Sequence, residues 1–215
     1  MIKFKSQIKL LGAMPSFDEN IVKNEPMFFN ASPIFAYENG GPITKAFLEL
    51  TGMLDKPCVI DTRVHMLMKG WYPCIPGWHH DDVPRTTSTG QPNYKTPEYF
   101  AKHILGLVNG DICPTQFALG ECEMPEVEEE KVCYREWHPV IDKLCESGKM
   151  VRYDATGNPI LAFDAHSFHQ GQKALSNGWR WFGRVSYDTL RLNTITNEIR
   201  NQVQVYIPAP DYMGW

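Results

Sequence analysis

The apolar residues of this chain arrive in short runs cut by turn residues, and that punctuation restricts the fold more than any other feature. With 16 glycines and 16 prolines among 215 residues, few stretches leave room for a helix, whereas many suit a strand. IKFKSQIKLL (2–11) alternates as a strand does. CVIDTRVHMLMKGWY (58–72) reads as a second strand, running towards PGWHHDDVPR at 76–85. HILGLVNGDICPTQFALGE (103–121) reads as short strands joined by turns. NPILAFDAHSFHQGQKA (158–174) and GWRWFGRVSYDTLRL (178–192) add two more around a turn at Ser176-Asn177-Gly178. One clear helix stands out in PITKAFLELTGML (42–54), where Ile43, Phe47, Leu48, Leu50 and Leu54 recur at helical spacing between Pro42 and Gly52. Thr96-Pro97-Glu98 resembles a helix start inside a long polar loop. The segment 123–148 has helical character, with Glu126 and Glu128–Glu130 read as a solvated charge run. Many strands and few helices predict a mainly β (α+β) domain, a sandwich or jelly-roll core with flanking helices.

The chain is long enough for one sizeable domain and short for two, and it has no internal repeat or low-complexity linker. A formal net charge of −4 argues against a broad electrostatic grip on nucleic acid. Six cysteines at 58, 74, 113, 122, 133 and 145 contain no CxxC pair, which removes zinc-ribbon and thioredoxin-like readings. A chain of this size needs no disulfide staples, and its N-terminus shows basic residues without a long apolar run. The expectation is a cytoplasmic protein with reduced thiols and no membrane span.

Four residues in PGWHHDDVPR can ligate a metal. On a strand, residues two apart share a face, so His79 pairs with Asp81 and His80 with Asp82, on opposite faces. An imidazole and a carboxylate so placed chelate a divalent cation, and one distant histidine completes a facial set. Alone, His-x-Asp is a weak signal that a polar turn explains equally well. His169, 90 residues after His79, supplies the missing piece. Arg180 and Arg184 follow it by 11 and 15 residues. Along that strand Arg180, Phe182, Arg184 and Ser186 share one face. An arginine turned into an aromatic-rich barrel needs an anionic partner, and its planar fork suits a carboxylate.

At these residues the chain resembles the iron(II)- and 2-oxoglutarate-dependent dioxygenases, through their His-x-Asp … His … Arg signature. WHHDD matches the first part, HQG the distal histidine, and GWRWFGRVS the strand bearing the cosubstrate arginine. The resemblance covers about residues 60–190 of a single domain, 1–215, with a double-stranded β-helix (cupin-like jelly-roll) core. It implies His79, Asp81 and His169 as iron(II) ligands, because Trp78 supplies the aromatic residue that often precedes the metal histidine. The His80 and Asp82 pair stays as the alternative register. It implies Arg180 for the far carboxylate of 2-oxoglutarate, with Arg184 and Ser186 as an Arg-x-Ser variant. CPTQFALGE looks like the family's mid-core strand, which brings in Thr115 and Gln116 as weaker cosubstrate contacts. His166 competes with His169 but fits the HQG context less well. His65, His103 and His138 have no partner at metal spacing.

The implied chemistry is oxidative decarboxylation of 2-oxoglutarate to succinate with O2, coupled to hydroxylation; Asp81 argues against halogenation. Two rivals stand beside it. One is a cupin-like metal enzyme without 2-oxoglutarate, which needs no arginine on the last strand. The other is a non-catalytic β-sandwich binding module. The expected substrate is a small molecule, an amino acid or a peptide, reached past the loop 86–94. A nucleobase in DNA or RNA stays open, with the acidic balance against it.

Overall fold

Period-two alternation sorts most strands of this chain into one face for each of two apolar layers. A computed structural model describes residues 1–96, 100–128 and 131–207. Its strands are β1 (Ile2–Ser6), β2 (Lys9–Ala13), β3 (Met27–Phe29), β4 (Val59–Leu67), β5 (Lys102–Val108), β6 (Thr115–Met124), β7 (Val151–Ala155), β8 (Pro159–Asp164), β9 (His169–Gly171), β10 (Gly178–Tyr187) and β11 (Glu198–Arg200). The helices are α1 (Glu19–Lys23), α2 (Pro33–Asn39), α3 (Pro42–Thr51) and α4 (Cys133–Glu146). The described chain is therefore mainly β with few helices.

The larger sheet is antiparallel in the order β2-β8-β5-β10-β4. In the smaller sheet β7 and β9 pair with the first half of β6, and β1 with its second half. A two-stranded ribbon, β3 with β11, completes the pairing.

One face of the larger sheet, carrying Ile60, Val64, Ile104, Val108, Trp181 and Val185, packs against Ile43, Phe47 and Leu48 of α3. Gly106 permits this, because a Cβ there would lie 2.6 Å from the Phe47 ring. The helix starts with Pro42 at its first turn and stops at Gly52, whose φ of 63° is the left-handed cap that glycine favours. No side chain of its own caps its N-terminus; the Glu25 carboxylate accepts instead from the Ile43 and Thr44 N–H groups.

The opposite face of that sheet meets the smaller sheet. Leu105, Leu107, Leu161 and Phe163 pack on Phe117 and Ala155, so two antiparallel sheets face one another across a shared interior. The outer face of the smaller sheet, with Phe4, Ala118 and Met124, is covered by Tyr134, Trp137 and Ile141 of α4.

Several expectations change. IKFKSQIKLL is two strands, not one: β1 joins the smaller sheet and β2 the larger. The strand in CVIDTRVHMLMKGWY ends at Leu67, well short of the histidines. NPILAFDAHSFHQGQKA yields β8 and β9, in different sheets, because the chain crosses between layers. Glu126 and Glu128 precede α4 instead of lying on it; Glu129 and Glu130 lie outside the described residues, as do Pro97 and Glu98 of the expected helix start. All six cysteines are free thiols. Among the described residues, no helix is long and apolar enough to cross a membrane.

Candidate metal centre

Two histidines 90 residues apart in sequence face each other as a backbone pair. His79 N donates to His169 O at 3.0 Å, and His169 N donates to His79 O at 3.1 Å. Residues that exchange both bonds project their side chains to the same side, and the two ring centroids lie 4.5 Å apart. The same local device orients both rings. Each Nδ1 sits 2.9 Å from the carbonyl oxygen two residues earlier, that of Gly77 and of Ser167. A carbonyl only accepts, so each Nδ1 carries the hydrogen and each Nε2 is left to point inwards.

Both Nε2 atoms meet Asp81. Its Oδ2 lies 3.0 Å from His169 Nε2, and its Oδ1 lies 4.0 Å from His79 Nε2. With Nδ1 protonated, each Nε2 is an acceptor turned towards a carboxylate that is also an acceptor. Such a set calls for a cation between its members, either a proton or a metal ion. One ligand atom from each of His79, Asp81 and His169 falls within 4.8 Å of the others, which fits a divalent ion bound on one face. Burial first, and then neighbouring His169, lowers the His79 pKa to about 4, keeping the imidazole neutral as a metal ligand must be. Asp81 reaches this position through a bend, not a strand: only His79 is bridged, and Asp82 turns the chain with φ 52°.

The twin residues go elsewhere. His80 projects to the other side of the smaller sheet, its ring 3.9 Å from that of Phe168 and its Nδ1 2.8 Å from the Tyr94 hydroxyl. Asp82 accepts from Thr189 Oγ1 at 3.2 Å. The two do not converge. His166 lies against Phe100, with centroids 4.2 Å apart. His138 accepts from the Trp78 N–H at 3.2 Å, while Trp78 Nε1 donates to Asp142 at 2.9 Å. Helix α4 thus clamps the residue before His79.

The arginines of β10 differ in circumstance. Arg180 is 2% exposed, and its Nη2 donates to Thr115 Oγ1 at 3.0 Å. Among the described residues no carboxylate reaches ion-pair distance, and its Nε has no hydrogen-bond partner. Opposite it across the strands stands His65, whose Nδ1 is also without a partner; burial first, then the Arg180 charge, takes its pKa down to about 3. Arg184 is paired with Asp61 at 3.0 Å and with Asp81. Burial would lower its pKa, but Asp81, Asp82 and Asp61 hold it well above the usual value. Asp61 also accepts from Arg191 at 2.7 and 2.8 Å and from the Asn30 N–H at 2.9 Å. Burial pushes the Asp61 carboxyl up, yet these cations and hydrogen bonds hold it far below the normal range.

One cavity of about 1120 Å³ contains the triad, Thr115, Arg180 and Arg184. Ser186 does not line it: the residue is 0% exposed, with Oγ bonded to His103 Nδ1 at 2.9 Å. Gln116 is also outside the wall, tied to Asp154 and Gln170. Asp61 and Arg63, which no motif singled out, and His65, expected to be a core or surface histidine, all lie in the cavity wall. Their signal was visible in VIDTRVHML, where the charged or ionisable residues 61, 63 and 65 fall two apart and so share one face of the strand.

No protein-family model and no curated protein matches the sequence. Similar solved structures include the non-haem monooxygenase ThoJ in a nickel complex, 12% identical with a TM-score of 0.33, over 68% of this chain and 49% of that one. HygX from Streptomyces hygroscopicus with iron bound is 10% identical with a TM-score of 0.41, over 85% and 82%. EvdO2 from Micromonospora carbonacea var. aurantiaca complexed with 2-oxoglutarate is 10% identical with a TM-score of 0.36, over 81% and 67%. The match spans about half of the ThoJ chain in the nickel complex and 74% of the apo ThoJ chain.

Proposed function

We propose that this chain is a non-haem iron(II) oxygenase that couples decarboxylation of 2-oxoglutarate to succinate with hydroxylation of a small-molecule or peptide substrate. The reading rests on one observation: a single cavity holds a His-Asp-His set and a buried guanidinium that no described carboxylate satisfies. The two facing antiparallel sheets are what a double-stranded β-helix core requires.

In this reading His79 and His169, through Nε2, and Asp81 hold the iron. Arg180 and Thr115 take the far carboxylate of 2-oxoglutarate, since burying an unpaired guanidinium is costly and a bidentate carboxylate removes that cost. Iron(II), with 2-oxoglutarate and O2, would supply the oxidising chemistry when bound. The protein's own residues do the rest. The carbonyls of Gly77 and Ser167 keep both histidine rings turned inwards. Arg184, braced by Asp61, orients the Asp81 carboxylate. Leu105, Phe163 and Phe182 give the cavity an apolar wall that keeps water off the reacting centre. A cupin-like enzyme without the cosubstrate would have no use for Arg180 in its present state.

Anaerobic addition of iron(II) and then 2-oxoglutarate to the purified chain should produce a weak visible charge-transfer band. His79→Ala should abolish it and His80→Phe should retain it. Absence of the band in the native chain would remove the proposal, and a band that survives His79→Ala would move the site to other ligands.

A further inference from the structure

The cavity wall carries a second basic group besides Arg180. There β3 and β11 bring Phe29 alongside β4, and three guanidinium groups gather about its ring. Arg200 lies 3.7 Å from the centroid, Arg63 5.5 Å and Arg191 5.8 Å. All four residues line the same cavity as the metal set.

Their partners are unequal. Arg191 is bidentate on buried Asp61. Arg200 pairs with Glu198, its neighbour but one, at 2.7 Å on a partly exposed surface, an arrangement that holds a charge weakly. Arg63 has no carboxylate within ion-pair distance among the described residues; its Nη1 donates to the carbonyls of Phe28 and Thr62 at 3.0 and 2.7 Å. It is half-buried on the inner face of the larger sheet. Burial, and then the charges of Arg200, Arg184 and Arg191, press against its protonated form, with Asp61 alone opposing them. A guanidinium so placed has donors and a positive field to offer an oxyanion.

The charge balance of the whole cavity agrees. Five arginines (63, 180, 184, 191 and 200) face four carboxylates (Asp61, Asp81, Asp82 and Glu198) across its wall. A divalent metal ion and a dicarboxylate cosubstrate cancel one another, so one positive charge is left over. Arg180 is used by the cosubstrate, which leaves Arg63 for the substrate. A net positive charge on a partly enclosed wall favours an anionic ligand.

We propose that the substrate is a small acidic organic molecule whose carboxylate, sulfate or phosphate group is taken by Arg63, with Arg200 beside it, at Phe29 in the cavity wall. This deepens the oxygenase reading and rests on it for the identity of the molecule as substrate; the anion site itself stands on Arg63. The apolar body of the molecule would lie along Phe182 and Leu105, towards the metal set.

Phenyl phosphate and phenol serve as matched probes, titrated calorimetrically into the full chain in phosphate-free, low-salt buffer with a divalent ion and 2-oxoglutarate already at saturation, so that Arg180 is occupied. Phenyl phosphate should bind once per chain, and phenol roughly tenfold or more weakly, since hydrogen bonds to a charged group supply the difference. Arg63→Gln should weaken phenyl phosphate roughly tenfold or more, and Arg200→Gln about threefold, because its guanidinium is shared with Glu198. Arg180→Gln should leave binding within about twofold, as separate sites couple little. Native affinity in Arg63→Gln, loss in Arg180→Gln alone, equal binding of phenol, or no binding of phenyl phosphate would each overturn the proposal. Should Arg63→Gln fail to fold for want of its two carbonyl bonds, Arg200→Gln decides, and unchanged affinity there counts against the site. The iron and 2-oxoglutarate band on the same preparation keeps the two readings apart. A missing band with phenyl phosphate still bound through Arg63 sinks the oxygenase reading and leaves the anion site; a band without that binding does the reverse.

Discussion

Arg180 and Arg184 lie four residues apart on the same face of β10, the first buried and the second half-buried, and live in opposite electrostatic surroundings. Register with β4 explains the contrast: Arg180 stands opposite His65, and Arg184 stands opposite Asp61. One arginine is therefore a structural ion-pair hub bridging Asp61 and Asp81, while the other is a charge held in readiness beside a neutral imidazole. Burial alone says nothing about which role an arginine plays. The partner strand decides it.

The sharpest way to break this comparison is Arg184→Met. It takes one cation from buried Asp61, which keeps Arg191, and one from partly exposed Asp81, and should cost about 2–3 kcal/mol in urea unfolding. A loss below about 1 kcal/mol would mean that Arg191 alone satisfies Asp61, and would undo the hub. Arg180→Met should act with the opposite sign. Removing an unpaired buried charge should raise stability by about 1–2 kcal/mol. In the same variant 2-oxoglutarate affinity, measured by calorimetry with a divalent ion present, should fall about 100-fold. A destabilised Arg180→Met with intact cosubstrate binding would erase the distinction between the two arginines.

A smaller effect concerns acid. The Asp61 carboxyl is held far below its usual range in the folded state, so the unfolded chain binds the proton more readily. Its stabilising contribution is complete above the ordinary aspartate pKa and is lost as pH falls below it. Asp61→Asn, although weaker overall, should therefore lose roughly 1 kcal/mol less stability than the native chain between about pH 5 and 3. Parallel curves for the two proteins would assign the acid sensitivity to other carboxylates.

Much of the site was legible because its signals are local. Neighbouring residues on extended chain point to opposite sides, so His79 and His80 had to part company whichever of them faced the interior. The i, i+2 spacing of Arg180, Phe182 and Arg184 placed them on one face of β10, where they are found. The helix in 42–54 was readable from its apolar period and its Pro and Gly punctuation. Less was legible where the answer lay across the sheet. Ser186 shares its face with Arg184, yet His103 on β5 takes its hydroxyl and no cavity wall is left to it. Asp61, Arg63 and His65 gave a period-two polar pattern, which is a sign of an inward charged face but does not say what each residue meets. His79 and Asp81 converge as the i, i+2 spacing expects, although the chain bends at Asp81 and Asp82 instead of continuing as a strand.

The sequence by itself determined the strand faces, the separation of the two adjacent histidines and the residue types able to form a cation site, since these follow from backbone geometry over a few residues. Tertiary structure decided which arginine is paired, why Arg63 meets no carboxylate among the described residues and how His79 comes to face His169. Those outcomes depend on the register between strands about a hundred residues apart, where a shift of a single residue would turn every side chain to the other face.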